Sequence, residues 1–119
     1  MNLNTVSIVG EVVATPQMSE VDGTSPVAEF DVVLRERVKL DGEWTTRRIR
    51  VGIIVWGKQG AACGEHLRKG SLVGIAGRLG YMSREWNDDT DLRVIASAVQ
   101  FLSRLATRPA DAVEEPVPV

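Results

Sequence analysis

The sequence is poor in the residues from which most active sites are built. Its 119 residues include one histidine and one cysteine, which argues against a metal site and excludes an internal disulfide. It has no recognisable acid–base pair, nucleophile motif or phosphate-binding glycine loop, so no catalytic residue is assigned. It has no apolar run near the roughly 18 residues of a membrane helix, and the residues before its first strand show no basic region, apolar signal core or cleavage site. These absences predict a cytoplasmic protein that is not an enzyme and needs no cofactor.

Charge of one sign is also lacking. With 14 basic and 16 acidic residues the formal net charge is −2, so the protein would not attract nucleic acid through its overall field. Any nucleic-acid site must be a local patch of cations. Aromatic residues make up 5% of the chain, and three of the six are tryptophans, so the positions of the tryptophans are informative.

The order of extended segments predicts an all-β fold. Asp41-Gly42 is the strongest hairpin signal, because both residues tolerate positive φ and lie between two extended runs. The predicted strands are residues 3–13, 27–39, 44–56, 72–86 and 92–102, with a short extended piece at 18–21 and a helix at 58–68. Five strands with one short helix between strands 3 and 4 is the order of an OB-fold Greek-key barrel. We therefore expect a domain over residues 1–102 and a short disordered tail over 103–119.

Alternation along the strands predicts which side chains share a face, since residues two apart point the same way. On the strand at 44–56, the expected core row is Ile49, Val51, Ile53 and Val55, and the expected exposed or half-exposed row is Arg48, Arg50, Gly52, Ile54 and Trp56. On the strand at 72–86, the expected inward row is Val73, Ile75, Gly77 and Leu79, and the opposite row is Arg78, Gly80, Met82, Arg84 and Trp86.

The alternation also brings cations and tryptophans together. Arg35, Arg37 and Lys39 share a face that borders the row of Arg48 and Arg50. Aromatic side chains that stack on bases, with cations that follow phosphates, bind single strands with little sequence preference. The pattern alone leaves two alternatives open. A row of arginines is often a solvated face, and tryptophans in small β domains often lie in a core or a subunit interface.

Several segments in this order resemble the bacterial single-stranded DNA-binding protein family, whose members are OB-fold tetramers of replication and repair. The resemblance covers residues 4–102. The segments that carry it are Asn4-Thr5-Val6-Ser7-Ile8-Val9-Gly10-Glu11-Val12, Pro26-Val27-Ala28-Glu29-Phe30, Asp41-Gly42-Glu43-Trp44, Trp56-Gly57-Lys58, Glu65-His66-Leu67-Arg68-Lys69-Gly70-Ser71, Gly77-Arg78-Leu79 and Val99-Gln100-Phe101-Leu102.

The resemblance implies stacking aromatics on an open barrel face. Trp56 stands at the family's aromatic before Gly-Lys, and Arg50 replaces another family aromatic on the same face. The family's later tryptophan falls near Arg84, two residues before Trp86. Trp44 beside the hairpin turn is also similar to the family. The predicted DNA-binding residues are Trp56, Trp86, Trp44, Arg35, Arg37, Arg48, Arg50, Lys58, Arg78 and Arg84.

The implied function is sequence-independent binding and protection of single-stranded DNA in replication, recombination or repair, by a homo-oligomer for which a tetramer is favoured. Replication and repair proteins are the implied partners, although the tail lacks the family's acidic tip ending in Ile-Pro-Phe. The main rival is an OB-fold adaptor that binds a replication or recombination protein and touches DNA weakly or not at all. Cys63 is expected to be a small packing residue, and His66 to pack or cap near the helix end.

Overall fold

The secondary structure is a set of β-segments with one helix. The computed structural model describes residues 2–21, 23, 25–81 and 92–102. The elements of these residues are β1 Val6–Val12, β2 Gln17–Val21, β3 Ser25–Leu40, β4 Glu43–Trp56, α1 Gly57–His66, β5 Leu72–Tyr81 and β6 Leu92–Phe101. The predicted hairpin turn at 87–89, the last part of the predicted fourth strand and the predicted tail lie outside the described residues.

The strands close into a barrel. β1 and β2 lie one after the other along β3, with Val12 opposite Val32 and Gln17 opposite Glu29, so they act as one interrupted strand. Around the barrel β1 pairs with β5, β5 with β6, β6 with β4 and β4 with β3, which returns to β1. Only the β4–β6 pair is parallel among these. The prediction of a five-stranded OB barrel with a helix between its third and fourth strands is confirmed.

The hairpin of β3 and β4 is long and regular. Its register runs without interruption from Val27 opposite Trp56 to Leu40 opposite Glu43. Asp41 has φ of 50° and Gly42 has φ of 81°, the left-handed pair that a type I′ turn requires. The turn predicted from Asp-Gly is therefore present, and it brings the two arms together residue by residue.

The core lies inside the barrel and beneath α1. Its central side chains are Val12, Ala28, Phe30, Val32, Ile53, Val55, Cys63, Leu67, Val73, Ile75 and Val94. Cys63 is fully buried, and burial raises the pKa of its thiol from 9.0 to about 11. The thiol is thus protonated at neutral pH and packs as a small apolar group, as predicted.

Helix α1 is shorter than predicted, because it ends at His66 and not near residue 68. The guanidinium of Arg68 donates to the carbonyl oxygens of Leu67 at 2.7 Å and Gly64 at 3.3 Å, which satisfies carbonyls at the helix end. The ring of His66 makes an edge contact with Phe101, with 5.6 Å between ring centroids. Its predicted packing at the helix end is confirmed by this contact.

Three predictions of burial are wrong. Ile49, expected in the core, is 41% exposed, because it lies opposite Leu34 on hairpin arms that extend past the packed part of the barrel. Leu79, expected to face inward, lies opposite Val94 near the end of β5 and is 42% exposed. Ile54, expected to be at least half exposed, is 2% exposed because its strand is central, with Glu29 on one side and Ile95 on the other.

Candidate nucleic-acid interface

One outward row of β4 carries the candidate site. Trp44, Arg48, Arg50 and Trp56 occupy alternate positions of this strand and therefore share a face. Trp44 is 60% and Trp56 57% exposed, whereas the core residues Ile53 and Val55 on the opposite row are fully buried. We call the outward surface of β3 and β4, with the adjoining surface of β5 and β6, the open face. The predicted exposure of both tryptophans is confirmed.

The other arm of the hairpin adds cations to the same face. Arg35 lies directly opposite Arg48, and Lys39 directly opposite Trp44, and directly opposite residues of an antiparallel pair share a face. Arg35, Arg37 and Lys39 are all exposed. The predicted border between the two cationic rows is therefore present, and it extends along the whole outer half of the hairpin.

At the tip of the hairpin, two cations contact the indole of Trp44. The guanidinium carbon of Arg37 lies 5.0 Å from the ring centroid and the ammonium nitrogen of Lys39 lies 5.8 Å from it. Such cation–π contacts are worth about 0.5–1 kcal/mol at exposed sites. They restrict the orientation of an indole that would otherwise rotate freely at the end of two exposed strands.

Nearer the barrel, acidic side chains hold two of the arginines. The Nε of Arg50 donates to Oδ2 of Asp31 at 2.7 Å, and Nη1 of Arg35 donates to Oε1 of Glu11 at 3.3 Å. The side chain of Arg50 is still 64% exposed, so its Nη groups remain accessible to a ligand. A short hydrogen bond at Nε fixes the plane of a guanidinium without using its terminal fork.

Two adjoining clefts form a groove across this part of the open face. The first has a volume of about 380 Å³ and is lined by Glu11, Val12, Val13, Val33, Arg48, Arg50 and Lys69. The second, about 280 Å³, is lined by Val13, Ala14, Thr15, Gln17, Glu29, Phe30, Asp31, Arg50 and Arg93. Arg50 and Val13 line both, so the clefts are continuous. The groove runs from Lys69 at one end to Arg93 at the other.

The remaining predicted cations lie around this row. Lys58 is exposed in the first turn of α1, two residues after Trp56. Arg78 is exposed on β5 opposite Ile95, which is itself paired with Ile54 of the open face. Arg78 therefore lies on the part of the open face that β5 forms, on the side of β6 away from β4. Trp86 and Arg84 lie outside the described residues.

Sequence reasoning missed Lys69 and Arg93 as members of the groove. Lys69 is in the turn between α1 and β5. This turn lies beside the end of β1, because the amide of Gly70 donates to the carbonyl of Val12 at 2.8 Å. Arg93 is on β6, whose parallel pairing with β4 is not visible in the sequence. Gly52 was the one available signal, because it leaves a gap in an otherwise bulky row of side chains.

A closed OB barrel with exposed indoles and guanidinium groups along one face defines a class of protein, the OB-fold domains that bind nucleic acid. The family follows from the sequence. Residues 3–102 match the model of the single-strand binding protein family, and the chain belongs to that family.

Individual relatives agree with this assignment. "Single-stranded DNA-binding protein 3" of Clostridium acetobutylicum is 32% identical over 104 residues, covering 84% of this chain and 71% of that protein. "Single-stranded DNA-binding protein 2" of Chlorobaculum tepidum is 30% identical over 109 residues, covering 86% of this chain and 72% of that protein.

Two solved structures share the fold at 23% identity and a TM-score of 0.76, each covering 87% of this chain. One is a deletion mutant of the single-stranded DNA binding protein from Thermus aquaticus, of which this chain spans 52%. The other is titled as the Plasmodium falciparum SSB complex with ssDNA, and 97% of that chain is covered. The likeness confirms the OB barrel.

Proposed function

We propose that this protein binds and protects single-stranded DNA, without base preference and without catalysis, on its open face. The observation that carries the proposal is the single row of β4 on which Trp44, Arg48, Arg50 and Trp56 all point outward. Membership of the single-strand binding protein family supports it. The adaptor hypothesis is not favoured, because it gives no reason for exposed indoles between cations.

The mechanism divides the work between two kinds of contact. Bases stack on the indoles of Trp56 and Trp44, each stack contributing about 1–3 kcal/mol whatever the base. Trp86 adds a third stacking aromatic. The phosphates are held by Arg35, Arg37, Arg48, Arg50, Lys58, Arg78 and Arg84. Because every base has a stacking surface and every nucleotide a phosphate, neither contact depends on sequence.

A second surface supports self-association. Ser7 and Val9 of β1 lie opposite Ala76 and Gly74 of β5, which lie opposite Ala98 and Gln100 of β6. We call the outward surface formed by Ser7, Val9, Gly74, Ala76, Ala98 and Gln100 the neutral face. It has a shallow cleft of about 360 Å³, and Val9 on it is 55% exposed. Small uncharged side chains allow two such sheets to approach closely.

The edge of β1 offers another contact. Residues 6–11 of β1 pair with β5 on one side, whereas on the other side, among the described residues, only Glu11 and Val12 of this strand pair with β3. A free strand edge can pair with the same edge of a second copy. Two different self-complementary surfaces, one edge and one face, build a tetramer with two-fold axes. We therefore propose a homotetramer.

The cellular role follows from the substrate. Single strands are exposed in replication, recombination and repair, and we place the protein in these processes in the cytoplasm, with replication and repair proteins as its partners. No helix in the described part of the chain is long and apolar enough to cross a membrane.

The test is a titration with oligo-dT, followed by tryptophan fluorescence and repeated with duplex DNA and at raised salt. We expect quenching by oligo-dT that weakens with salt, and little with duplex, because only unpaired bases can stack. Trp56→Ala should weaken binding by about 1–3 kcal/mol. Phe101→Ala removes an aromatic that is 43% exposed and contacts His66, and serves as the control. A folded protein without quenching or binding would favour the adaptor.

A further inference from the structure

The side chain of Arg93 fills the space on the open face where a side chain of residue 52 would lie. Gly52 follows Arg50 in the outward row of β4, and it has no side chain to continue that row. A Cβ atom built on Gly52 would collide with Nη1 of Arg93 and lie 2.7 Å from its Cδ and 3.2 Å from its Cζ. The head of Arg93, which comes from the neighbouring strand β6, therefore lies directly over Gly52.

Two carboxylates keep Arg93 in this position. Oε2 of Glu29 is 3.6 Å from Nη2 of Arg93, and Oδ1 of Asp31 is 4.0 Å from its Nη1. The other oxygen of Asp31 accepts the 2.7 Å hydrogen bond from Nε of Arg50. One carboxylate thus links the two guanidinium groups, and the side chains of Arg93, Asp31 and Glu29 are only 23–30% exposed.

Arg93 and Arg50 also line the same cleft of the groove, the one of about 280 Å³. A guanidinium presents donors in a fixed fork that matches the oxygens of a phosphate. The guanidinium groups of Arg50 and Arg93, both in contact with Asp31, lie along the row that leads to Trp56. A strand stacked on Trp56 and held at Arg50 must pass over Gly52, where Arg93 lies.

We propose that Arg93 is a phosphate-binding residue of the open face, supplied by β6 across Gly52 and oriented by Asp31 and Glu29. Gly52 has a role in this arrangement, since only a residue without a side chain leaves room for the guanidinium on the sheet. The proposal rests on the proposed binding of single-stranded DNA and adds a contact that the tryptophan row does not include.

The test uses the full chain with oligo-dT over a range of salt concentrations. Arg93→Gln should lower the salt dependence by about 0.7 in log–log slope, the value for one phosphate contact on a single strand. The loss of affinity relative to the unchanged protein should therefore be about fivefold larger at 0.1 M salt than at 1 M. Arg47→Gln is the control, because Arg47 is also paired with an acid, Glu36 at 3.7 Å, but lies on the opposite face of the hairpin.

A second variant separates position from charge. Gly52→Ala leaves the net charge unchanged but displaces the head of Arg93, and we expect it to weaken binding of oligo-dT by about threefold to tenfold, the range of one contact made at an imperfect position. In the Arg93→Gln background the same change should have little further effect, because its target is already gone. Arg93→Lys, which keeps the charge but not the fork, should keep the salt slope and lose part of the affinity.

The outcomes are distinct. Independent, additive effects of the two substitutions, or an Arg93→Gln variant that folds and binds with unchanged salt slope, would overturn the role of Arg93 while leaving the proposed function intact. Circular dichroism and the thermal midpoint show whether each variant folds. Failure of the unsubstituted protein to bind oligo-dT would overturn both the proposed function and this inference.

Discussion

The open face and the neutral face are two parts of the outside of one barrel, built by the same alternation of inward and outward side chains, and they differ in chemistry. The open face presents arginine, lysine and tryptophan along β3 and β4. The neutral face presents serine, valine, glycine, alanine and glutamine on β1, β5 and β6. The charged side chains of the open face suit a polyanion. The less well solvated neutral face suits a second copy of the protein.

The uneven distribution of cations explains how a nearly neutral protein can bind a polyanion. The net charge of −2 describes the whole chain, whereas the groove collects Arg48, Arg50, Lys69 and Arg93 in one place. Acids on this face are engaged with arginines, as Asp31 is with Arg50 and Glu11 with Arg35. Local placement of cations, and not total charge, decides where a phosphate can bind.

The largest expected effect is that of a charge placed on the neutral face. Val9→Glu adds a carboxylate at a side chain that is 55% exposed in the single chain, so folding should be retained. In the proposed assembly the carboxylate would be buried without a partner, at a cost of several kcal/mol. We expect self-association to weaken by about 100-fold or more, measured by analytical ultracentrifugation.

Leu3→Glu is the matched control for this variant. It makes the same kind of change at a side chain that is 89% exposed and precedes β1, outside both faces. A Val9→Glu protein that associates as strongly as the control would refute the assignment of the neutral face to a second copy, whatever its DNA binding.

The second test removes one cation from the open face. Arg48→Gln should lower the salt slope for oligo-dT binding by about 0.7. Its loss of affinity relative to the unchanged protein should therefore be about fivefold larger at 0.1 M salt than at 1 M. Leu3→Glu changes the net charge by the same −1 and should leave the slope unchanged, because Leu3 is not in the groove. Equal losses in the two proteins would mean that binding follows total charge and that the open face has no special role.

Local patterns predicted the parts of this molecule that depend on neighbours in sequence. The Asp41-Gly42 turn, the outward position of Trp44 and Trp56, and the shared face of Arg35 and Arg48 all follow from turn chemistry and from the two-residue repeat of a strand. The number of strands, with a helix between the third and fourth, predicted the OB barrel, and the family resemblance agreed with it. These features needed no knowledge of which strands lie side by side.

The features that were missed depend on contacts between distant segments. Arg93 reaches the groove only because β6 lies parallel to β4, and Ile54 is buried because Glu29 and Ile95 flank it. Ile49 obeys the alternation but is exposed, since alternation gives the direction of a side chain and not whether anything covers it. Where the hairpin leaves the barrel is set by the pairing of β1 and β2 with β3, which the sequence does not reveal.

The finest distinction is between the two sides of the hairpin itself. Arg37 lies on the open side, 5.0 Å from the ring centroid of Trp44, and Arg47 lies on the other side, 3.7 Å from Glu36. Arg37→Leu removes the cation but keeps an apolar stem beside the indole. We expect oligo-dT binding to lose the phosphate contact proposed for Arg37 and, because the indole is less restrained before a base stacks on it, a further loss of about 0.5–1 kcal/mol, or roughly twofold to fivefold.

Arg47→Leu removes the same charge from the opposite face and should leave binding nearly unchanged, because the side chain of Arg47 points away from the open face and is paired with Glu36. The fluorescence of Trp44 gives a readout that net charge does not move, since only Arg37→Leu removes the contact with its ring. If both variants lost affinity equally and the emission of Trp44 did not change, the contact between Arg37 and Trp44 would have no part in binding. The cations of the hairpin would then act through their charge alone, without orienting the indole at its tip.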